Sequence, residues 1–343
     1  MKEKNFGNFF IVAASLIITL AGLKIASPIV VPFLLSLFIA IILSPAYNFF
    51  NKKGLSNSLS LLIVISFLIM FFMMVGKLLG SSAVEFNSNL DFYEKQLIIN
   101  FHGLVEMAEK FGISIPEQDL ENIFNPKLIM GFATNILKGM SSLVTNSFVI
   151  LLTVIFMLLE SDAFVRKMTF INSKSSANTH IDKILSQIKE YMVLKALISL
   201  FTGFIIYVGL LMIGTDYPFL WAVLAFMLNF IPNIGSIIAA VPAVLLTLVG
   251  LDAMSAIMVV ILYVVVNIVI GSVIEPKVMG NGLGLSTLVV FLSLLFWGWL
   301  LGIVGMLLSI PLTIMAKITL NANEDTRWIA VLLGTGNSLT KTK

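Results

Sequence analysis

The sequence predicts an all-α fold, a polytopic helical membrane protein, and two observations lead to that class. The first is composition: 59% of the 343 residues are hydrophobic and 11% are charged, whereas soluble domains are close to half apolar and a quarter charged. The second is arrangement, because the apolar residues occur in long runs and not in the roughly ten-residue alternation of an outer-membrane barrel. Lipid therefore acts as the solvent for most of the chain.

Eight apolar runs approach or exceed the roughly 20 residues that a helix needs to cross a bilayer, so we predict about eight spans. The first run follows Lys2 and Lys4, as in a signal peptide, but the many spans behind it favour a retained helix. The runs are Phe9–Leu23, Ile29–Phe50, Leu59–Leu79, Leu143–Leu159, Tyr191–Ile213, Phe219–Val249, Ala253–Ile274 and Leu285–Leu320.

Polar segments divide the chain further. The longest, 81–142, contains apolar residues at spacings of three and four, which indicates an amphipathic helix and predicts a small helical insertion outside the bilayer. The apolar stripe comprises Phe86, Leu90, Tyr93, Leu97, Phe101, Leu104, Ala108 and Phe111. The predicted parts are N-terminal membrane helices (1–80), the insertion (81–142), one membrane helix (143–160), a basic cytoplasmic or interfacial segment (161–190), C-terminal membrane helices (191–320) and a cytoplasmic tail (321–343).

The distribution of charge orients these parts. From Ser161 to Lys195 basic residues outnumber acidic ones, whereas residues 80–142 contain eight acids and four lysines. Because basic loops stay on the cytoplasmic side, we predict an inner (plasma) membrane protein whose N-terminus and 161–190 segment are cytoplasmic and whose insertion is extracytoplasmic. The net charge of +3 is too small to predict a nucleic-acid partner. The predicted partner is the lipid bilayer, because the chain is so rich in apolar residues.

The sixth and eighth runs are too long and are interrupted. Phe219–Val249 would measure roughly 46 Å as one helix, against about 30 Å for the hydrocarbon core, and Leu285–Leu320 is longer still. Backbone left unpaired at membrane depth persists only inside protein or beside a wet cavity. Each run is either a kinked, tilted span or a helical hairpin, and the sequence leaves both open. The predicted hinge or break positions are Pro242, Gly298, Gly302, Gly305 and Pro311.

Polar residues near these interruptions form a predicted pathway for a solute or an ion. Broken helices with polar residues are the usual sequence indication of a transporter binding site, and ionisable residues at membrane depth imply a function. Structural alternatives stay open, because asparagines also bond neighbouring helices, and Glu275 and Lys277 also reach the interface from a helix end. The pathway residues are Asn229, Pro232, Asn233, Gly235, Asn267, Glu275 and Lys277.

Motifs for catalysis or cofactor binding are missing from the sequence. The chain has no cysteine, His102 and His180 stand alone in polar segments, and no HExxH, GxSxG or P-loop pattern occurs. We therefore predict neither an enzyme nor a site for a metal or cofactor.

Three segments, in order along the chain, resemble the signatures of a known family. Asn229-Phe-Ile-Pro-Asn-Ile-Gly235 contains Pro-Asn-Ile-Gly, and Glu275-Pro-Lys-Val-Met-Gly280 follows the pattern Glu-Pro-basic-x-Met-Gly. The closing signature comprises Gly282–Val290, Phe296–Gly302 and Leu308–Leu312. Together the segments resemble the autoinducer-2 exporter family, and the similarity covers roughly residues 25–335.

That resemblance implies a multi-span inner-membrane protein with a helical insertion between its third and fourth spans. It implies export of autoinducer-2, a small polar furanone-type signal, and thereby an effect on quorum sensing and biofilm formation. It also implies a homo-oligomer, with a pentamer as the expected state. Some relatives are sodium or proton antiporters, so the resemblance leaves the substrate open.

Three functional hypotheses follow. The leading one is a secondary carrier or facilitator that moves a small, neutral, polyhydroxylated solute outward, with Asn229 and Asn233 replacing water around the solute and Glu275 and Lys277 acting as a gate or coupling pair. On this hypothesis, Asn233→Ala lowers efflux at unchanged membrane abundance. The alternative is a sodium (cation)/proton antiporter that uses Glu275 as its titrating carboxylate. The third is a non-transport membrane scaffold or signalling protein whose insertion binds partners.

Overall fold

The computed structural model describes the membrane-embedded part of the chain and little of the insertion. The described residues are 3–89, 91–93, 95–96, 99, 131, 134–135, 147–172, 178–232, 234–279, 284–321 and 324–334. Most of the predicted insertion, including six of the eight residues of its apolar stripe, lies outside them.

The all-α prediction is confirmed, since the described residues form helices and turns with one isolated β-bridge, between Leu285 and Gly334. A π-helix, Asn267–Ile274, joins the helix Ala253–Val266 to the helix Glu275–Met279. The helices are α1 (Glu3–Ile25), α2 (Ser27–Lys52), α3 (Asn57–Ser88), α4 (Ser147–Asn172), α5 (Asn178–Ile213), α6 (Pro218–Leu228), α7 (Gly235–Gly250), α8 (Ala253–Val266), α9 (Glu275–Met279), α10 (Thr287–Leu307), α11 (Ser309–Asn321) and α12 (Arg327–Leu332).

Several helices have the length and hydropathy of membrane spans. Within the described part of the chain five are long and apolar enough to cross a bilayer: Ser27–Lys52, Asn57–Ser88, Ile188–Ile213, Ala253–Val278 and Thr287–Leu307. Shorter apolar helices occupy Phe10–Ile25, Ser147–Glu160, Pro218–Leu228 and Gly235–Gly250. Large side chains such as Ile18, Phe67 and Met212 are mostly exposed on these helices, as is expected where lipid is the solvent. The chain is a multi-pass membrane protein.

The described residues group into two compact units. The first unit contains residues 1–65, 148–194 and 279–343, and the second contains residues 66–147 and 195–278. In the first unit Ser36 of α2 lies 3.2 Å from the backbone oxygen of Ile150 on α4, and both residues are buried. In the second unit Leu210, Leu220 and Trp221 are completely buried. Each unit therefore has its own tightly packed interior.

The run Phe219–Val249 is a helical hairpin in the second unit. Helix α6 ends at Leu228, helix α7 begins at Gly235, and a hydrogen bond of 3.0 Å joins Thr215, just before α6, to Thr247, near the end of α7. The two arms are therefore antiparallel. With 11 and 16 residues, they measure about 16 and 24 Å, so neither crosses a hydrocarbon core of about 30 Å.

Gly235 allows the close approach at the tip of this hairpin. A Cβ atom at Gly235 would overlap the carbonyl oxygen of Leu228, the last residue of the opposite arm. Pro232 lies in the turn between the arms, where a missing N–H donor costs little. Pro242 lies inside α7, which continues through it. The helix is therefore interrupted between Leu228 and Gly235, and not at the predicted break at Pro242.

The run Leu285–Leu320 is also a hairpin, and it belongs to the first unit. Gly302 has φ of 68° and interrupts α10, so this helix is not one straight span despite its length. Lys317 near the end of α11 donates a hydrogen bond of 2.6 Å to the carbonyl of Gly284, just before α10. A Cβ atom on Gly305 would overlap the carbonyl oxygen of Trp297, which requires the chain to reverse between them.

The prolines and glycines of the second hairpin have separate roles. Gly302 supplies the positive φ that L side chains rarely adopt, and a Cβ atom on Gly298 would lie 2.7 Å from the Met306 side chain. Pro311 occupies the first turn of α11, where its missing N–H has no helical partner to lose. The break is therefore at Gly302, whereas Pro311 lies in the first turn of α11 and does not bend it.

Candidate functional site

A narrow polar cleft lies inside the second unit, enclosed by α5, the first hairpin and the α8–π-helix segment. Its walls lie close together. At its widest it admits roughly one water molecule, so this conformation is nearly closed. Five of the ten lining residues have polar side chains, whereas most of the surface that faces the cleft is apolar. The polar lining residues are Thr202, Asn229, Ser236, Tyr263 and Asn267.

One wall is a polar stripe on α5. Lys195, Ser199 and Thr202 are spaced by four and three residues, so they share one face of the helix, and all three are buried. Thr202 donates to the backbone oxygen of Ile198 at 2.9 Å. Ser199 accepts a hydrogen bond of 3.0 Å from the Asn229 amide at the end of α6. This bond attaches the hairpin tip to α5.

The opposite wall combines α8 with the π-helix. Tyr263, Asn267, Gly271 and Glu275 follow one another at intervals of four and lie along one side. A π-helix is wider than an α-helix and is frequent at functional sites. A Cβ atom on Gly271 would lie 3.0 Å from the Asn267 side-chain oxygen, so the missing side chain leaves room for that amide in the cleft.

Tyr263 differs from the other polar lining residues. Only 4% of its surface is exposed, and its hydroxyl has no hydrogen-bond partner among the residues that the structure describes. Buried polar atoms nearly always have such a partner. The cleft therefore contains a hydrogen-bonding group that no described residue satisfies.

An ion pair lies one helical turn from the cleft. The Lys195 ammonium lies 2.5 Å from the Glu275 carboxylate, and the side chains are 2% and 21% exposed. Lys195 precedes Ser199 by one turn, and Glu275 follows Gly271 by four residues. The two opposite charges pair with each other. The polar residues that line the cleft are themselves uncharged.

The structure changes the predicted pairing of Glu275. We expected Glu275 and Lys277 to act together as a gate or coupling pair, but Lys277 is exposed and makes no ion pair among the described residues. The partner is Lys195, which lies in the predicted membrane run Tyr191–Ile213 and was not among the predicted pathway residues. Its spacing to Ser199 and Thr202, at the start of a long apolar run, is the signal that would have identified it.

The other predicted pathway residues fall into three groups. Asn229 and Asn267 line the cleft. Pro232 and Gly235 shape the hairpin tip but do not line the cleft. Asn233 lies outside the described residues. Thr202, Ser236 and Tyr263 were not predicted, because a single hydroxyl residue in an apolar run is not distinctive.

A second polar cluster joins the end of α3 to the base of the first hairpin, outside the membrane spans. The Tyr93 hydroxyl lies 3.2 Å from the Asp216 carboxylate and 3.3 Å from the Tyr217 hydroxyl. Burial, together with these partners, raises the pKa of Tyr93 above its ordinary value. Tyr217 adopts a left-handed φ of 54°, so this turn is held in shape by its neighbours.

Known proteins are similar to this chain over nearly its whole length. The family model described as "AI-2E family transporter" matches residues 13–325. A putative transport protein of Haemophilus influenzae is 43% identical over 333 residues, with 94% of both chains covered. The AI-2 transport protein TqsA of Escherichia coli is 38% identical over 324 residues, again with 94% of both covered. The putative transport protein YrrI of Bacillus subtilis is 24% identical over 310 residues, 84% of this chain and 85% of the relative.

The predicted family is thereby confirmed, since the match covers nearly the entire chain and two relatives exceed 30% identity across it. Interrupted helices beside a polar cleft are typical of transporters. This multi-pass membrane protein belongs to the AI-2E family of transporters.

Proposed function

We propose that the protein exports autoinducer-2 across the inner membrane through the polar cleft of the second unit. The observation that carries this proposal is the cleft itself: uncharged hydrogen-bonding side chains on helices that are otherwise apolar. The name of the Escherichia coli relative, AI-2 transport protein, supports the choice of substrate.

The chemistry of the cleft suits a small, neutral, hydroxylated solute. Moving such a solute out of water costs several kcal/mol if its polar groups stay unpaired. Asn229, Asn267 and Ser236 offer amide and hydroxyl groups, and Tyr263 adds a hydroxyl that bonds to no described residue. Because Lys195 and Glu275 neutralise each other, the cleft offers no unpaired charge to an ion.

The nearly closed cleft requires a conformational change during transport. Autoinducer-2 is larger than the single water molecule that fits between the walls, so the first hairpin and the helices around it must separate to admit it. The bond between Asn229 and Ser199 joins two of these walls. We propose that this contact breaks and reforms in each transport cycle.

The proposal includes the orientation and surroundings of the protein. The charge distribution supports a cytoplasmic N-terminus and 161–190 segment and an extracytoplasmic 81–142 insertion. The partners are the lipid bilayer, the solute and further copies of the chain, with a pentamer as the expected oligomer, and no nucleic acid. Export of the signal then affects quorum sensing and biofilm formation. The protein needs no cofactor and catalyses no reaction.

Replacing Asn267 with alanine tests the cleft. We expect autoinducer-2 efflux from proteoliposomes that contain Asn267→Ala to fall about tenfold, because one hydrogen bond to the solute is lost. The matched control is Ser272→Ala, on the exposed face of the same π-helix, which keeps the wild-type rate. An unchanged rate in Asn267→Ala at equal protein content contradicts the proposal.

A second function, cation/proton antiport, is favoured by one observation, the Glu275 carboxylate within a candidate membrane span. Antiport requires that this carboxylate release Lys195 and bind a proton or cation in turn. A sodium-dependent pH change in the same liposomes, abolished by Glu275→Gln, would favour antiport over export of a neutral solute.

A further inference from the structure

The Tyr263 hydroxyl is a buried group in the wall of the cleft, and it has no partner in the part of the chain that the structure describes. It lines the cleft, is shielded from solvent and makes no hydrogen bond to a described residue. An unpaired buried hydroxyl opposes folding, so its retention calls for a compensating role. Three other side chains with such atoms, Asn51, Ser60 and Ser309, lie in the first unit and do not line the cleft.

We propose that Tyr263 recognises the transported solute by a hydrogen bond from its hydroxyl to an oxygen atom of that solute. This inference rests on the proposed function and deepens it, because it assigns a specificity-determining residue and the solute group that the residue reads.

The neighbouring polar groups support this assignment by being engaged already. Thr202 donates to the Ile198 backbone oxygen, and the Asn229 amide donates to Ser199. These bonds engage the Thr202 hydroxyl hydrogen and one N–H of the Asn229 amide before any solute arrives. On the opposite wall the Tyr263 hydroxyl has no partner among the described residues.

Asn267 extends the recognition surface. It follows Tyr263 by four residues, about one helical turn, so the phenol and the amide emerge on the same side, roughly 5–6 Å apart at their Cβ atoms. Two polar groups on one side of the cleft can bond two oxygen atoms of the same solute. The site then rejects a solute of the same size without hydroxyls, because both protein groups would stay unpaired.

The substitution Tyr263→Phe isolates the hydroxyl, since it removes one oxygen and keeps the ring. Two measurements on the full-length protein are needed: autoinducer-2 efflux from proteoliposomes as a function of its concentration, and thermal unfolding of the empty purified protein. We expect half-maximal efflux to require about tenfold more autoinducer-2. We also expect the Tm of the empty protein to be unchanged or higher, because an unpaired buried hydroxyl has been removed.

The control is Tyr207→Phe. Tyr207 is a half-buried residue of α5 whose ring packs against Phe219 and which does not line the cleft. We expect it to retain the wild-type concentration dependence.

Each outcome has a distinct meaning. Wild-type concentration dependence in Tyr263→Phe overturns the role of the hydroxyl while leaving export intact. A large fall in Tm overturns it too, because the hydroxyl would then be holding the fold together. If the wild-type protein moves no autoinducer-2, the proposed function fails and takes the substrate assignment with it. The Tm of Tyr263→Phe still tests in that case whether the hydroxyl is unpaired.

Discussion

We expect that replacing the Glu275 side chain alone destabilises the protein more than replacing Glu275 and Lys195 together. Lys195 is 2% exposed and its ammonium lies 2.5 Å from the Glu275 carboxylate, so Glu275→Gln leaves a buried positive charge without its counter-ion. Breaking a buried pair in this way costs about 3–5 kcal/mol. We expect a loss of this size in the free energy of unfolding, measured by denaturant titration of the purified protein in detergent.

Two comparison variants complete the experiment. Lys195→Met combined with Glu275→Gln removes both charges, and we expect it to recover most of the lost stability, because a neutral pair has no ion to desolvate. Lys277→Met changes an exposed lysine two residues from Glu275, and we expect a change within about 0.5 kcal/mol. If Lys277→Met were as damaging as Glu275→Gln, the pairing with Lys195 would be wrong.

Gly235→Ala is expected to destroy the first hairpin. The added Cβ atom would overlap the Leu228 carbonyl oxygen and lie 2.7 Å from the carbonyl carbon. Backbone atoms cannot rotate away as a side chain can, so the two arms must separate. We expect a loss of about 3 kcal/mol or more in the free energy of unfolding, at the upper end for overpacked sites, together with loss of transport.

The matched control for this prediction is Gly80→Ala. Gly80 lies in α3, in the same unit, and a Cβ atom there meets nothing within 4 Å. We expect the free energy of unfolding to stay equal or rise by up to about 1 kcal/mol, because alanine favours the helix. Equal stability of the two alanine variants would show that the hairpin tip is not packed as described.

Much of the fold was predictable from the sequence because membrane helices carry their signal locally. The lengths of Phe219–Val249 and Leu285–Leu320, set against the bilayer thickness, indicate that neither is an ordinary span. The choice between a kinked helix and a hairpin depends on contacts between the two arms, such as Thr215 with Thr247 and Lys317 with Gly284. Such contacts are not encoded in hydropathy, so the sequence left this choice open.

The site was predictable only in part, for a related reason. Asn229 and Asn267 are conspicuous because amides are rare in apolar runs, and both line the cleft. Lys195 is 80 residues from Glu275 along the chain, and no local pattern indicates that they meet, whereas Lys277 is a plausible neighbour by sequence alone. Tyr263 resembles any aromatic residue of a membrane helix until its hydroxyl is seen to lack a partner.

The most direct test of a solute cleft in the second unit is thiol labelling of a cysteine placed inside it. The chain has no cysteine of its own, so single-cysteine variants can be labelled with a membrane-impermeant reagent without background. We expect Ser236→Cys, in the cleft wall, to be labelled each time the cleft opens during the transport cycle, and to be protected by autoinducer-2. Ser272 lies on the exposed face of the π-helix, outside the cleft. Because lipid is the solvent of that face, Ser272→Cys should stay unlabelled by a reagent that does not enter the membrane. If Ser236→Cys reacts no faster than Ser272→Cys, or if autoinducer-2 does not slow its labelling, the cleft is not the route of the solute.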